Sequence, residues 1–225
     1  MAPFFTGLAK NLAGFGFGKV ASGGASGEAQ LNFVYFYSSG SWTVPDDDFS
    51  ATEGGTPGTV NVLVVAGGGG AGFNAAGAGG GAGGFRYATE YTIPASGGST
   101  VPLTVGSGGL PSLDYASGPR VGSPGGNSTF APGTPYAISA TGGGGGGQNN
   151  NPTDPGMIPR GAGGSGAGGA CGEANGGLIG SPGNAGGNVS SPPFSQAVEG
   201  YPGGTGANVG PASERFSGGG GGGAG

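Results

Sequence analysis

The sequence contains no histidine, so it lacks the side chain that most often serves as general base and metal ligand near neutral pH. It has one cysteine, Cys171, which excludes an intrachain disulfide and leaves the redox compartment open. Within Gly169-Ala-Cys-Gly172 that thiol reads as a small buried filler. No apolar run reaches the ~18 residues of a membrane-spanning helix. Met1-Ala-Pro-Phe-Phe-Thr-Gly-Leu-Ala-Lys10 has no basic start and is broken by Lys10, so it does not read as a secretory signal. Charge is scarce too: 8% of residues, six Lys and Arg against eleven Asp and Glu, for a net charge of −5. The cations (Lys10, Lys19, Arg86, Arg120, Arg160, Arg215) are scattered. An acidic chain with no basic face repels phosphate, which argues against nucleic acid as a partner.

What the chain does have is glycine, 64 of 225 residues, with 18 prolines beside it. Non-periodic sequences of that kind are ordinarily disordered. Here hydrophobic strands such as Val60-Asn-Val-Leu-Val-Val-Ala66 run directly into glycine runs, which argues for order. A conventional core would be small, and each ordered glycine costs more backbone entropy than another residue would. Backbone hydrogen bonds, close backbone packing or assembly with other chains have to supply the difference. Such a chain has a structural or adhesive role.

Three regions follow from the patterning. In residues 1–30, Phe4, Leu8 and Leu12 recur at helical spacing with Phe5 alongside and Pro3 at a first helical position. This predicts a short amphipathic helix ending near Gly14, followed by Phe15, Phe17 and a Gly/Ser hinge. Nothing in that region buries the aromatic face, so Phe4, Phe5, Leu8, Leu12, Phe15 and Phe17 are the expected anchor to another protein. Residues 31–141 read as an antiparallel, β-rich region: Leu31–Tyr37, Ser41–Val44, Val60–Ala66, Phe85–Ile93, Thr100–Val105 and Tyr136–Ala140. The third and fourth of the longer strands, on either side of Pro94-Ala-Ser-Gly-Gly98, are expected to pair with each other. Residues 142–225 are glycine-rich stretches separated by Pro/Asn turns.

In this last region Gly161-Ala-Gly-Gly-Ser-Gly-Ala-Gly-Gly169 breaks the strict Gly-X-Y repeat of collagen while keeping glycine dense enough for polyproline-II geometry, with three residues per turn. The fold class is mainly β and irregular: a short N-terminal helix, a β-rich middle and a polyglycine-II bundle or sandwich. The Gly142–Gly147 run is expected to be internally packed, with no room for a Cβ.

Phe36-Tyr-Ser-Ser-Gly-Ser-Trp-Thr-Val-Pro45, Val62-Leu-Val-Val-Ala-Gly-Gly-Gly-Gly-Ala-Gly72, Gly126-Asn-Ser-Thr-Phe130 and Ile138-Ser-Ala-Thr-Gly-Gly-Gly-Gly-Gly-Gly147 together resemble the glycine-rich domain of bacteriophage tail-fibre and receptor-binding proteins. The resemblance runs from about residue 33 to 225. It implies a virion structural protein on the particle's external surface or tail, held to other virion proteins by its N-terminus. It also implies polyglycine-II helices that display loops to a bacterial surface receptor. A capsid-surface or neck decoration is the alternative, and an ice-binding or matrix protein a more distant one. No cofactor, metal or membrane insertion is expected, and homo-oligomerisation stays open. Candidate receptor residues are Asn150, Met157, Ile158, Phe194 and Tyr201, because loops at 148–159 and 190–202 mix polar and apolar groups.

The remaining motifs read as structural. Gly67-Gly-Gly-Gly-Ala-Gly72 matches G-x-G-x-x-G after a strand, but the glycines at 73–84 rule out the helix whose N-terminus would hold a pyrophosphate. Asp46-Asp-Asp48 lacks the alternating spacing of a calcium loop. No pair of carboxylates is placed for hydrolysis, and Glu28, Glu53 and Glu90 read as surface residues. The expectation is a non-enzymatic protein.

Overall fold

The computed structural model of the chain describes residues 34–44, 59–72, 77–93, 98–112, 121–147, 163–169, 199–208 and 216–224. Among these residues eight strands form: β1 (Gly40–Thr43), β2 (Thr59–Val65), β3 (Phe85–Thr92), β4 (Thr100–Thr104), β5 (Ser128–Phe130), β6 (Ile138–Ala140), β7 (Ala207–Asn208) and β8 (Phe216–Ser217). They make two antiparallel sheets, ordered β1-β4-β5-β6 and β2-β3, and a short β7-β8 ladder. No α-helix occurs among the described residues. The helix expected before Gly14 lies outside them.

Period-two patterning sets the faces. Val62, Val64 and Ala66 of the β2 run point inward, and Ala88, Val101, Phe130, Ile138 and Ala140 meet them in a single core that also takes Val44 and Ile93. On the opposite face of the larger sheet, the hydroxyls of Thr129 and Ser139 hydrogen-bond at 3.0 Å. The β2–β3 register shifts between Val60 and Val62. There the Asn61 side chain accepts from the backbone N–H of Glu90 at 2.9 Å. Glu90 takes a left-handed φ of 49°.

Three expectations about strands are corrected. β3 and β4 do not pair with each other: β3 pairs with β2, and β4 lies between β1 and β5. Beyond Pro94 the chain is captured by the end of β1, where Gly98 donates to Val44 O and Val44 donates to Ser99 O, both at 2.8 Å. Leu31–Tyr37 is not a strand over its described part, 34–37, and pairing begins only where Gly40 meets Leu103. The ladder ends there because the next donor along this edge, Val105 N–H, goes to the Ser39 hydroxyl at 3.0 Å and not to a backbone carbonyl of 34–38. Tyr136 belongs to a turn and Ala137 to the link after it, not to β6, in a 131–137 connection that uses positive φ at Ala131 and Gly133. Ser128–Phe130 is a strand that the pattern did not mark out.

Among the described residues there are eight extended segments, all but 163–169 adjoining a strand: 66–72, 77–84, 105–112, 121–127, 141–147, 163–169, 199–206 and 218–224. Their hydrogen bonds recur every third residue. Ala66, Gly69 and Gly72 donate to Gly84, Gly81 and Ala78 at 2.8–2.9 Å, while Gly67 and Gly70 donate to Gly126 and Ser123 at 3.0 and 2.9 Å. Ala78, Gly81 and Gly84 in turn donate to Gly147, Gly144 and Thr141 at 2.7–2.9 Å. A three-residue period that serves a different neighbour at each successive position matches the period of the polyproline-II helix, which makes no internal hydrogen bonds.

The pairings order the segments in two layers. One runs 105–112, 66–72, 77–84, 218–224; the other runs 121–127, 141–147, 163–169, 199–206, set into the grooves of the first. Segments on either side of Thr141 share this lattice, so the hydrogen bonding is continuous across the division expected there.

Candidate functional site

A backbone lattice leaves few places for chemistry, and stereochemistry decides where they are. A Cβ on Gly142, Gly143, Gly145 or Gly146 would overlap the carbonyl oxygen of Gly125, Gly81, Gly122 or Ala78 respectively. These glycines are obligatory because neighbouring backbones must approach to hydrogen-bond, which is the internal packing expected of this run. Gly220 and Gly223 meet nothing within 4 Å, and Gly68 and Gly108 have only ordinary contacts at 3.6 and 3.9 Å. Non-glycine residues occupy comparable outward positions elsewhere. Leu110 is 70% exposed and Tyr201 57% exposed, and Ser107, Pro111, Ser123, Pro124, Pro202 and Thr205 are also exposed.

Of the candidate receptor residues, Tyr201 alone falls among the described ones. Its backbone is part of the 199–206 segment, where its N–H donates to Gly223 O at 2.9 Å and its carbonyl accepts from Gly166 at 3.0 Å. The ring is therefore carried by the lattice edge rather than by a loop. Asn150, Met157, Ile158 and Phe194, and the anchor residues Phe4, Phe5, Leu8, Leu12, Phe15 and Phe17, lie outside the described residues.

One polar site went unmarked in the sequence. Arg86 Nε donates to Glu199 Oε1 at 2.6 Å, with both residues buried (7% and 1% exposed). The second carboxylate oxygen accepts from the Thr141 backbone at 3.1 Å, and the Glu199 carbonyl accepts from Phe85 N–H at 3.0 Å. The pair thus joins β3, the start of 141–147 and the start of 199–206 where strands hand over to lattice. Arg86 was legible in principle, since alternation along Phe85-Arg86-Tyr87-Ala88 places it inward beside Ala88. Its partner, 113 residues away, left no local signal.

No group of acidic, cysteine or histidine side chains able to hold a metal ion occurs among the described residues. Residues 77–84, which would have to supply the helix of a dinucleotide site, are an extended lattice segment. Glu90 is exposed, as its surface reading required.

Antiparallel sheets that run into layers of glycine backbone define a structural class in which glycine is the building element. The family model for the glycine-rich domain matches residues 43–225, and the chain belongs to that family. No curated protein matches the sequence.

Proposed function

We propose that this chain is a non-enzymatic structural protein of a bacteriophage virion, a tail-fibre or adhesin component that contacts the host. The observation that carries the reading is the division of the lattice into obligatory inward glycines and a few outward side chains. Such a slab is rigid, presents almost no chemistry on its faces, and leaves recognition to its edges and connecting loops. In finer detail it is the polyglycine-II sandwich of phage adhesins. Its N-terminal segment binds other virion proteins, and its edges and loops face a receptor, protein or glycan, on the bacterial surface.

The test is competition. Purified protein, or antibody raised against it, is added to virions and host cells, and adsorption is measured. Blocked adsorption is the expected result. Unchanged adsorption together with weakened capsids in virions lacking the protein would assign it to capsid-surface or neck decoration.

A further inference from the structure

We propose that the Arg86–Glu199 ion pair sets the register of the C-terminal glycine hairpin, selecting one of two seatings that the glycines alone leave equivalent. A polyproline-II helix repeats every three residues, so sliding a segment by one turn, about 9 Å, restores every backbone donor and acceptor to an equivalent place. The 199–206 and 218–224 segments form such a sliding unit. They bond to each other through Tyr201 N–H to Gly223 O at 2.9 Å and Gly204 N–H to Gly220 O at 2.8 Å. The rest of the lattice reaches them through Gly79 to Gly219 O and Ala82 to Gly222 O at 3.1 and 3.0 Å, and through Gly166 to Tyr201 O and Gly169 to Gly204 O at 3.0 Å each.

The hairpin's contacts with that remainder forbid a Cβ at Gly200, Gly203 and Gly221, which face the backbone carbonyls of Gly164, Ala167 and Gly80. A one-turn slide toward the strand end brings Gly203, Gly206 and Gly218 into those three places. All are glycine, so the slide meets no steric objection there. The opposite slide brings Ala197 and Ala224 against the same carbonyls and is blocked. One wrong seating therefore satisfies backbone and sterics alike.

The two seatings differ at Glu199. The permitted slide puts Pro202 in its place, so the buried Arg86 guanidinium loses its carboxylate and Thr141 N–H loses its acceptor. Breaking a buried, hydrogen-bonded pair is strongly unfavourable, and fixing register is the best-attested use of such pairs.

Disulfide trapping tests the proposal in the full chain with Cys171→Ala. A Cβ on Gly79 would lie 3.7 Å from Gly220 Cα, and because Ala82 N–H donates to Gly222 O as Gly79 N–H does to Gly219 O, the register places Ala82 beside Gly223. Ala82→Cys is combined with Gly223→Cys to report the native seating, and with Gly220→Cys to report the shifted one. With the ion pair intact, the 82–223 bond should form and the 82–220 bond should not. In Arg86→Met/Glu199→Leu, which replaces the pair by apolar groups and leaves the glycine contacts of the lattice untouched, the ratio of 82–220 to 82–223 product should rise about tenfold or more, as loss of charge-assisted hydrogen bonds implies. The single variant Glu199→Gln should shift the ratio in the same direction. Exclusive 82–223 trapping in every variant, or loss of both bonds in the double variant, would overturn the proposal.

Discussion

The Tyr91 hydroxyl donates to the Tyr136 carbonyl at 2.5 Å, and the Tyr91 ring meets Phe130 edge-on at 6.4 Å between centroids. This contact ties the two-stranded sheet to the turn that carries the chain from β5 to β6. Desolvation by burial is the main cause raising the Tyr91 pKa above the ordinary 10.0, and neighbouring Tyr136 adds to it.

The folded state therefore favours neutral Tyr91. Its contribution is fully present below the ordinary tyrosine pKa of about 10, and it is lost as pH rises from there through the folded value. Tyr91→Phe should cost about 1 kcal/mol at neutral pH, because the Tyr136 carbonyl loses its donor. It should also flatten the fall in stability above pH ~10. Urea midpoints measured across that range check both parts, and an alkaline slope identical to wild type would refute the second.

The lattice makes a sharper demand on glycine. Gly145→Ala drives a Cβ into the Gly122 carbonyl and breaks a buried backbone approach, so it should destabilise by at least ~2 kcal/mol. Gly220→Ala has open space around it and should be neutral or stabilising by up to ~1 kcal/mol, because it restricts the unfolded chain. Equal melting temperatures for the two variants would mean that 142–147 is not packed as described.

Sheet and lattice should unfold together. β2, β4 and β6 each run without interruption into a glycine segment, and Ile138, 1% exposed, sits in the shared core. Ile138→Val should lower stability by roughly 0.5–1.5 kcal/mol. Trp42 fluorescence and amide exchange within 142–147 should report the same shift. Two separated transitions would show that the lattice folds independently.

Tyr201→Ala and Leu110→Ala remove exposed side chains whose backbones alone serve the lattice. Each should leave thermal stability within about 0.5 kcal/mol of wild type. If the lattice edges contribute to host contact, Tyr201→Ala should slow virion adsorption in a plating assay. Undiminished adsorption would confine that contact to the loops.

Much of this fold was legible in residues 60–147. Val60–Ala66 and Phe85–Ile93 announce strands by apolarity and β-branching, and the glycine runs beside them announce close backbone packing. Partner choice was not legible. The pairing of β4 with β1 and β5 depends on Gly98 meeting Val44, and a glycine run carries no side-chain pattern that names its neighbour. The Arg86–Glu199 pair was hidden for a similar reason: alternation aims Arg86 inward, but only the assembled lattice brings Glu199 to it. Tyr201 was expected in a loop because 190–202 mixes polar and apolar groups as recognition loops do, yet Pro202 suits an extended helix that needs no N–H at that position.

The clear space around Gly220 and Gly223, against the crowding at Gly219, Gly221 and Gly222, carries a consequence for inheritance. Along a lattice segment a codon's freedom to drift is set by its place in the helical turn. In 218–224 the crowded places should admit almost no replacement in a saturation library, while the outward places at 220 and 223 accept polar and apolar residues alike. Adaptation of the surface then proceeds one turn at a time, in steps of about 9 Å, with no effect on the scaffold beneath.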